Sequence, residues 1–342
     1  MSTLPVDGGP EGSPFEPPLP AARGPLSEAV LRALTRRPGP VQAPVVGDVD
    51  PLTDDDFQLA LYCCYEMHYR GFEGVDPGWE WSPPLLEVRR RLEMPFEDRL
   101  LDEVGPVAPP RDVGAALRAV VAEGGGPSLS EYMAEHGSLV EMREFCIHRS
   151  AYQLKEADPH TWAIPRLQGG AKAAMVEIQA DEYGGGVEAA MHATLFADTM
   201  RALGLDPTYG AYLDLLPGPT LATVNLVSML GLHRRWRGAL VGHLALFEMT
   251  SVTPMGRYAQ ALRRLGFGPD AHRFYDVHVE ADAGHEVVAL ERMAAGLVAD
   301  EPALAADVVF GAKAVMAVEG RLSRGMLDAW ADGRSSLRVL SS

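Results

Sequence analysis

The sequence predicts an all-α protein, a helical bundle preceded by additional N-terminal helices. Apolar residues recur at helical spacing through most of the 342 residues. Val, Ile and Thr rarely alternate with polar residues in a period of two, so no segment indicates a β-strand. Turn signals built from Gly and Pro separate the helical segments. Together these observations favour a bundle in which each amphipathic helix buries one face.

The first 50 residues differ from the rest because they are crowded with proline. Eleven of the 27 prolines lie in residues 1–51. Proline lacks an amide hydrogen and disrupts both helices and sheet ladders. We therefore expect residues 1–50 to form a largely disordered tail, with a short helix at Leu26–Arg36.

Residues 51–125 predict a set of auxiliary helices. Apolar spacing places them at Asp54–Arg70, Pro83–Leu92 and Asp112–Glu123. Thr53 is the expected N-cap of the first, and the Asp residues that follow suit a first helical turn. The clearest break in the chain is the glycine run at 124–126, which predicts a linker or sharp turn.

Residues 126–335 predict the main helical domain. Ser128 with Glu131 forms a capping-box pattern near its start. Seven long amphipathic segments follow, separated by turn signals. They are expected at 138–157, 170–182, 187–203, 219–250, 253–265, 270–298 and 302–331.

Charge and composition exclude several classes of protein. A formal net charge of −17 disfavours a broad basic surface for nucleic acid or anionic lipid. No apolar run approaches the roughly 18 residues that a membrane-spanning helix needs. Three cysteines are too few for a disulfide framework, and the N-terminus lacks the features of a secretory signal. We therefore expect a cytoplasmic protein that binds neither nucleic acid nor membranes.

The most informative motif is a trio of polar residues in the predicted helix 270–298. His278, Asp282 and His285 occupy positions i, i+4 and i+7, which fall within roughly 60° of one helix face. Two imidazoles and a carboxylate on one face would form half of a site for iron, manganese or zinc. The alternative is a solvated polar face with two incidental histidines.

Other predicted helices offer the further ligands that a dinuclear site in a bundle requires. Glu248 lies in an apolar segment, where a carboxylate needs a partner or a metal unless it sits near solvent. Glu182 and His192 flank the glycines at 184–186. These glycines either unwind a helix so that both side chains reach a metal, or form a plain loop. Glu156, taken alone, is typical of a surface residue.

Together these elements resemble the haem-oxygenase-like diiron oxidases and oxygenases, also called iron-containing redox enzymes. The resemblance rests on the His-x3-Asp-x2-His element, the Glu 30 residues before it, the Glu-x9-His pair and the further upstream Glu. It covers roughly residues 130–330. It implies a bundle with the fold of haem oxygenase that binds two irons in place of haem. Within the family, the spacing is most similar to that of the nitrosourea-forming members.

The resemblance also implies a seven-ligand metal site. Its ligands are expected at Glu156, Glu182, His192, Glu248, His278, Asp282 and His285. By the same resemblance, Glu248 would be the bridging carboxylate. Glu182 would be the extra carboxylate that raises the number of ligands to seven.

Other polar residues compete with this assignment. Glu144 and His148 are four residues apart and form a rival pair on the first core helix. Glu188 lies four residues before His192 and is a rival to Glu182. The basic run 233–237 is either a solvated face or a carboxylate clamp for an amino-acid substrate.

The implied function is that of an O2-dependent, non-haem diiron oxygenase or oxidase acting on a small molecule in bacterial secondary metabolism. Two Fe ions (Fe2+/Fe3+), O2 as co-substrate and an external reductant would be needed, the last from a separate electron donor. The favoured reaction is N-oxygenation of an amine or amino acid. Desaturation or oxidative C–C cleavage of an amino acid or fatty acid is the alternative. A homodimer is compatible with a bundle of this type.

Two hypotheses of other kinds remain open at this point. The first is a helical protein that binds haem or another ligand and has no oxygenase activity. Haem would need one axial histidine, and the carboxylates would have no role as ligands. A ferritin-like diiron bundle would need two Glu-x-x-His motifs. The core helices offer only Asp282-x-x-His285 as a near match.

Overall fold

The computed structural model describes residues 16–124 and 126–339, without the side chains of residues 281–283. Within these residues the protein is all-α and contains no strand, as the sequence predicts. The helices are α1 Pro25–Leu34, α2 Asp55–Glu66, α3 Pro83–Val104, α4 Val113–Glu123, α5 Leu129–Glu135, α6 Leu139–Gln153, α7 Asp158–Thr161, α8 Gly169–Glu182, α9 His192–Ala202, α10 Gly218–Leu232, α11 Arg237–Thr250, α12 Val252–Arg264, α13 Pro269–Val287, α14 Ala295–Asp300 and α15 Ala305–Ala331. A π-helical segment, Val288–Ala294, joins α13 to α14. No helix among the described residues is both long and apolar enough to cross a membrane.

The auxiliary helices share one apolar core with the rest of the chain. α2 packs against α1 and α10, while α3 and α4 pack against α15. Phe57 and Leu117 from the auxiliary helices are fully buried in the same cluster as Leu226 and Val315. Because that core is continuous, the N-terminal helices complete the bundle rather than form a separate unit.

Residues 1–15 of the predicted tail lie outside the described part of the chain, while residues 16–34 pack against the helices and residues 39–50 form no helix and are mostly exposed. Pro17 and Pro20 are buried, and the carbonyl of Pro17 accepts a hydrogen bond from the amide of Glu73 at 2.9 Å. The helix α1 forms close to its predicted position. An extended proline-rich segment can pack against a helical surface because it needs no ladder of hydrogen bonds of its own.

Two boundaries in the auxiliary region differ from their predicted positions. The N-cap of α2 is Asp54 rather than Thr53, because Asp54 Oδ1 accepts a hydrogen bond from the amide three residues further on, at 2.7 Å. α3 continues through Pro95 to Val104, past the predicted end at Leu92. Burial of its apolar face against α2 and α15 outweighs the hydrogen bond that the proline removes.

The predicted helix 219–250 is two helices, α10 and α11. Arg166 donates hydrogen bonds to the carbonyls of Gly231 and Leu232, which are the last carbonyls of α10. A side chain from outside the helix therefore satisfies the groups that a helix end leaves without partners. Sequence periodicity does not reveal such a distant cap.

α11 and α15 cross at very short range. A Cβ atom at Gly242 would lie 1.8 Å from the carbonyl oxygen of Val308, and one at Gly311 would lie 1.9 Å from that of Ala239. Only glycine permits this approach of two backbones. The crossing holds α11, which also carries Glu248, in the centre of the bundle.

Candidate metal centre

The structure brings six of the seven predicted ligands together in two overlapping groups. One group consists of Glu156, Glu182, His192 and His278, and the other of Glu182, Glu248 and His285. In each group the potential donor atoms all lie within 4.8 Å of one another. The seventh predicted ligand is Asp282, whose side chain is outside the described part of α13.

The glycine run at 184–186 lies in a turn between two helices. Glu182 is the last residue of α8 and His192 is the first of α9. The glycines at 184–186 all have positive φ, and a Cβ at Gly184 would lie 2.5 Å from the carbonyl carbon of Ala190. The turn folds the two helix ends together, so His192 Nδ1 lies 2.7 Å from Glu182 Oε2.

Glu182, and not Glu248, belongs to both groups of donor atoms. The residue before it, Asp181, contacts His285 at 2.8 Å, which places the end of α8 between α9 and α13. The bridging role expected for Glu248, which belongs to the second group, stays a prediction. Glu182 therefore lies close to the potential donor atoms of both groups.

Two of the histidines are oriented by a hydrogen bond on the side of the ring that faces away from the cluster. His278 Nδ1 donates to the carbonyl of Phe274 at 2.8 Å, and its Nε2 lies 3.8 Å from Glu156 Oε1. His285 Nε2 donates to Asp181 at 2.8 Å, and its Nδ1 lies 3.4 Å from Glu248 Oε2. Such outer partners fix the neutral tautomer with a lone pair directed inward, as metal-binding histidines require.

The aspartate that orients His285 was not found from the sequence. Asp181 is half exposed and sits next to Glu182 at the end of a predicted helix, which is its only signal in the sequence. Its contact with His285 joins residues 104 positions apart. Only the packing of α8 against the end of α13 brings the two together.

The electrostatics of the cluster favour a bound cation. Burial raises the pKa of Glu156, and the neighbouring His278 opposes that rise. Glu156 Oε2 is buried and has no hydrogen-bond partner within the described residues. Several carboxylates gathered in a buried site repel one another unless a positive charge lies among them. Carboxylates combined with imidazoles are a donor set that suits iron, manganese or zinc, so the residues fit a metal.

Aromatic rings hold the imidazoles in place. The ring centroid of Phe274 lies 4.4 Å from that of His278 and 5.1 Å from that of Phe196. The rings of His192 and His278 are 4.1 Å apart. These contacts limit rotation of the two histidines, so the donor atoms are positioned in advance of any metal.

A cavity of about 240 Å³ opens onto the cluster. Glu156, Glu182, Glu248 and His278 form part of its wall. Aromatic residues contribute much of the rest, namely Phe145, Tyr152, Phe196, Phe247, Tyr258 and Tyr275. The cavity has room for a small organic molecule beside the metal ligands.

The rival pair on α6 serves a structural purpose. Glu144 accepts hydrogen bonds from Trp330 Nε1 at 2.8 Å and from the hydroxyl of Ser336 at 2.6 Å. His148 contacts Thr220 and Ser336 through its two ring nitrogens, at 2.6 and 3.0 Å. These bonds tie the C-terminal segment to α6, and neither residue joins a metal-binding group among the described residues.

The remaining alternatives from the sequence also lie away from the cavity. Glu188 is exposed. His233 contacts Glu93 at 2.8 Å, and Arg235 forms a bidentate ion pair with Glu97. None of these residues borders the cavity at the metal cluster, so the basic run is not placed to clamp a substrate there.

Comparison with known proteins agrees with this geometry. A family model described as iron-containing redox enzyme matches residues 143–320, just over half of the chain, and that range includes every candidate ligand. The chain belongs to this family. The family match confirms the resemblance and the haem-oxygenase-like helical fold that the sequence predicts, and it supports an oxidoreductase.

Two known proteins to which this chain is similar are the following. A nitrosourea synthase from Streptomyces achromogenes subsp. streptozoticus is 27% identical over 191 residues, which is 55% of this chain and 40% of that protein. The chain thus spans about two fifths of that relative's length. A CADD-like protein of unknown function from Nostoc punctiforme, solved in two crystal structures, is 15% identical with a TM-score of 0.49. The two matches cover 68% and 72% of this chain, and 98% and 100% of that one.

Proposed function

We propose that the protein is an O2-dependent, non-haem diiron oxygenase or oxidase that acts on a small molecule. The observation that carries this proposal is the pair of overlapping donor groups, with Glu182 in common, at the wall of a cavity. One iron would be held by Glu156, Glu182, His192 and His278. The other would be held by Glu182, Glu248 and His285, with Asp282 as a further ligand on the same helix.

Bound ferrous ions would supply the electrons that reduce O2, and an external reductant from a separate donor would restore them. The chain's own residues provide the surroundings for that chemistry. The carboxylates offset the positive charge of the metals, while His285 keeps its Nε2 proton on Asp181, away from the inner face. The aromatic walls limit the access of water to the cavity.

N-oxygenation of an amine or amino acid is the reaction that we favour. It is supported by the similarity of this chain to a nitrosourea synthase, which is 27% identical over 191 residues. The cavity next to the cluster has a mostly apolar wall, and Arg149 and Glu319 add charged groups to it besides the candidate ligands. Desaturation and C–C cleavage use the same kind of centre, and product analysis distinguishes them.

The experiment is an O2-uptake assay on anaerobically iron-loaded protein with amines, amino acids and fatty acids, using isotopically labelled O2. We expect uptake that depends on an amine or amino acid, with the label recovered on nitrogen. His278→Ala and Glu248→Ala should abolish it. Glu188→Ala, a change at an exposed carboxylate between α8 and α9, should leave it intact.

Three results would contradict the proposal. The wild type could consume no O2 with any of these compounds, or both ligand variants could match it. A Soret band after addition of haem, with no iron bound in its absence, would favour the haem-binding hypothesis. Label on carbon, or a desaturated product, would retain the diiron enzyme and replace N-oxygenation.

A further inference from the structure

An ion pair lies in the wall of the cavity that contains the metal cluster. Arg149 on α6 and Glu319 on α15 form two parallel hydrogen bonds, Nη1 to Oε1 at 2.9 Å and Nη2 to Oε2 at 2.7 Å. Each side chain is 19% exposed. Both residues line the cavity together with the candidate ligands Glu156, Glu182 and Glu248.

The surroundings of this ion pair are aromatic. The guanidinium carbon of Arg149 lies 5.6 Å from the ring centroid of Phe145, on which Tyr258 stacks at 4.3 Å. An ion pair enclosed in this way contributes little net stability, because removing both charges from water costs about as much as their attraction returns. What the ion pair does provide is one positive and one negative charge, side by side, at the edge of the cavity.

The ion pair stands on the same side of the cavity as the first metal ligand. Arg149 is near the end of α6, and Glu156 follows the end of that helix by three residues. Seven residues separate them, which at a rise of about 1.5 Å per residue corresponds to about two helical turns, or roughly 10 Å. Tyr152 lies between them in sequence and also lines the cavity.

We propose that Arg149 and Glu319 are specificity-determining residues that anchor the head group of a zwitterionic α-amino acid. The substrate carboxylate would bind Arg149 and the substrate ammonium would bind Glu319. The side chain would then extend along the cavity towards the metal cluster. This inference rests on the proposed function and names its substrate class.

Charge balance distinguishes a zwitterion from simpler ligands. A lone carboxylate that bound Arg149 would displace Glu319 and leave its charge enclosed without a partner. A lone amine that bound Glu319 would do the same to Arg149. A zwitterion inserts between the two and gives each charge a new partner, so the exchange avoids the cost of an unpaired enclosed charge.

The test measures amino-acid binding to the iron-loaded protein under anaerobic conditions by calorimetry. The probes are the twenty standard L-amino acids, one by one. Each binder is then compared with the amine that lacks its carboxylate and with the acid that lacks its ammonium. We expect at least one amino acid to bind, and both truncated compounds to bind about tenfold more weakly or worse.

Variants connect this binding to the ion pair. Arg149→Gln and Glu319→Gln should each weaken amino-acid binding by about tenfold or more, without loss of iron. The double variant Arg149→Gln/Glu319→Gln leaves no lone enclosed charge, so it remains informative if the single variants fold poorly. Arg235→Gln is the matched control, because Arg235 forms a similar bidentate pair with Glu97 outside the cavity.

Each negative outcome has a defined meaning. The proposal is overturned if no standard amino acid binds the wild type, or if a truncated compound binds as tightly as its parent. It is also overturned if iron-replete Arg149 and Glu319 variants bind like the wild type, or if only Arg235→Gln weakens binding. Absence of bound iron in the wild type would instead contradict the diiron function itself.

Discussion

The ammonium of Lys155 lies 2.9 Å from a carboxylate oxygen of Glu66, and both side chains are almost completely buried. Glu66 belongs to the auxiliary helix α2 and also accepts a hydrogen bond from the hydroxyl of Tyr209 at 2.7 Å. The ring of Tyr69 lies 4.2 Å from the same ammonium. Because Lys155 directly precedes Glu156, this ion pair ties the auxiliary helices to the first candidate metal ligand.

Removing one partner of this ion pair should be strongly destabilising. Lys155→Met leaves the carboxylate of Glu66 buried without its counter-charge, and we expect the free energy of unfolding to fall by about 3–5 kcal/mol. Adding Glu66→Gln should restore a part of that loss, because the buried negative charge is then gone. Denaturant unfolding of the wild type, both single variants and the double variant measures these values. Equal stability of Lys155→Met and the wild type would disprove the coupling.

The turn between α8 and α9 offers a matched pair of glycine substitutions. Gly184 and Gly185 both have positive φ, so alanine costs backbone strain of about 1 kcal/mol at either position. At Gly184 the new Cβ would also collide with the backbone at Ala190, whereas at Gly185 it would meet nothing within 4 Å. We expect Gly184→Ala to displace His192 and weaken iron binding, and Gly185→Ala to retain it. Iron content after desalting measures the difference, and similar losses in the two variants would contradict this account.

Asp181 should act on the metal through His285. Asp181→Asn weakens the acceptor that fixes the ring, and outer partners of this kind typically change metal affinity by about 10–100-fold. We expect a loss of that size in a competitive chelator titration. Asp198→Asn, at an exposed aspartate paired with Arg201 on α9, is the control and should bind iron like the wild type. An unchanged affinity in Asp181→Asn would show that the contact is incidental.

His148 makes stability depend on pH. Burial lowers its pKa to about 3, whereas the unfolded chain has a pKa near 6.5. Below pH ~6.5 the unfolded chain binds a proton at His148 that the folded protein does not bind. The contribution of the neutral, buried His148 to stability is therefore complete above pH ~6.5 and is lost as the pH falls towards ~3. When the pH is lowered from ~7.5 to ~5.5, the free energy of unfolding of the wild type should therefore fall by about 1.4 kcal/mol more than that of His148→Gln. Denaturant midpoints at the two pH values measure this, and parallel losses in both proteins would refute it.

The sequence was most informative where the signal is local. Helical periodicity predicts most of the helices, and the spacing of His278 and His285 on one helix predicts a metal site. The resemblance to a family then located Glu156, which no local pattern distinguishes from a surface residue. The structure places these residues in one cluster with the other described ligands.

Features set by helix packing could not be predicted in the same way. The contact of Arg149 with Glu319 joins residues 170 positions apart, and the cap that Arg166 places on α10 acts across 65. The sharing of Glu182 between two donor groups depends on where α8 ends relative to α9 and α13. In each case side chains meet because separate helices pack together, which no pattern within one helix records.

The most direct measurement is the iron stoichiometry of the anaerobically loaded protein, because the central claim is that two metal positions share Glu182. We predict two irons per chain in the wild type. His285→Ala should retain one iron, since His285 belongs to only one group. The Glu182→Ala variant should bind iron more weakly at both metal positions. One iron or fewer in the wild type, or two irons retained in Glu182→Ala, would contradict the account.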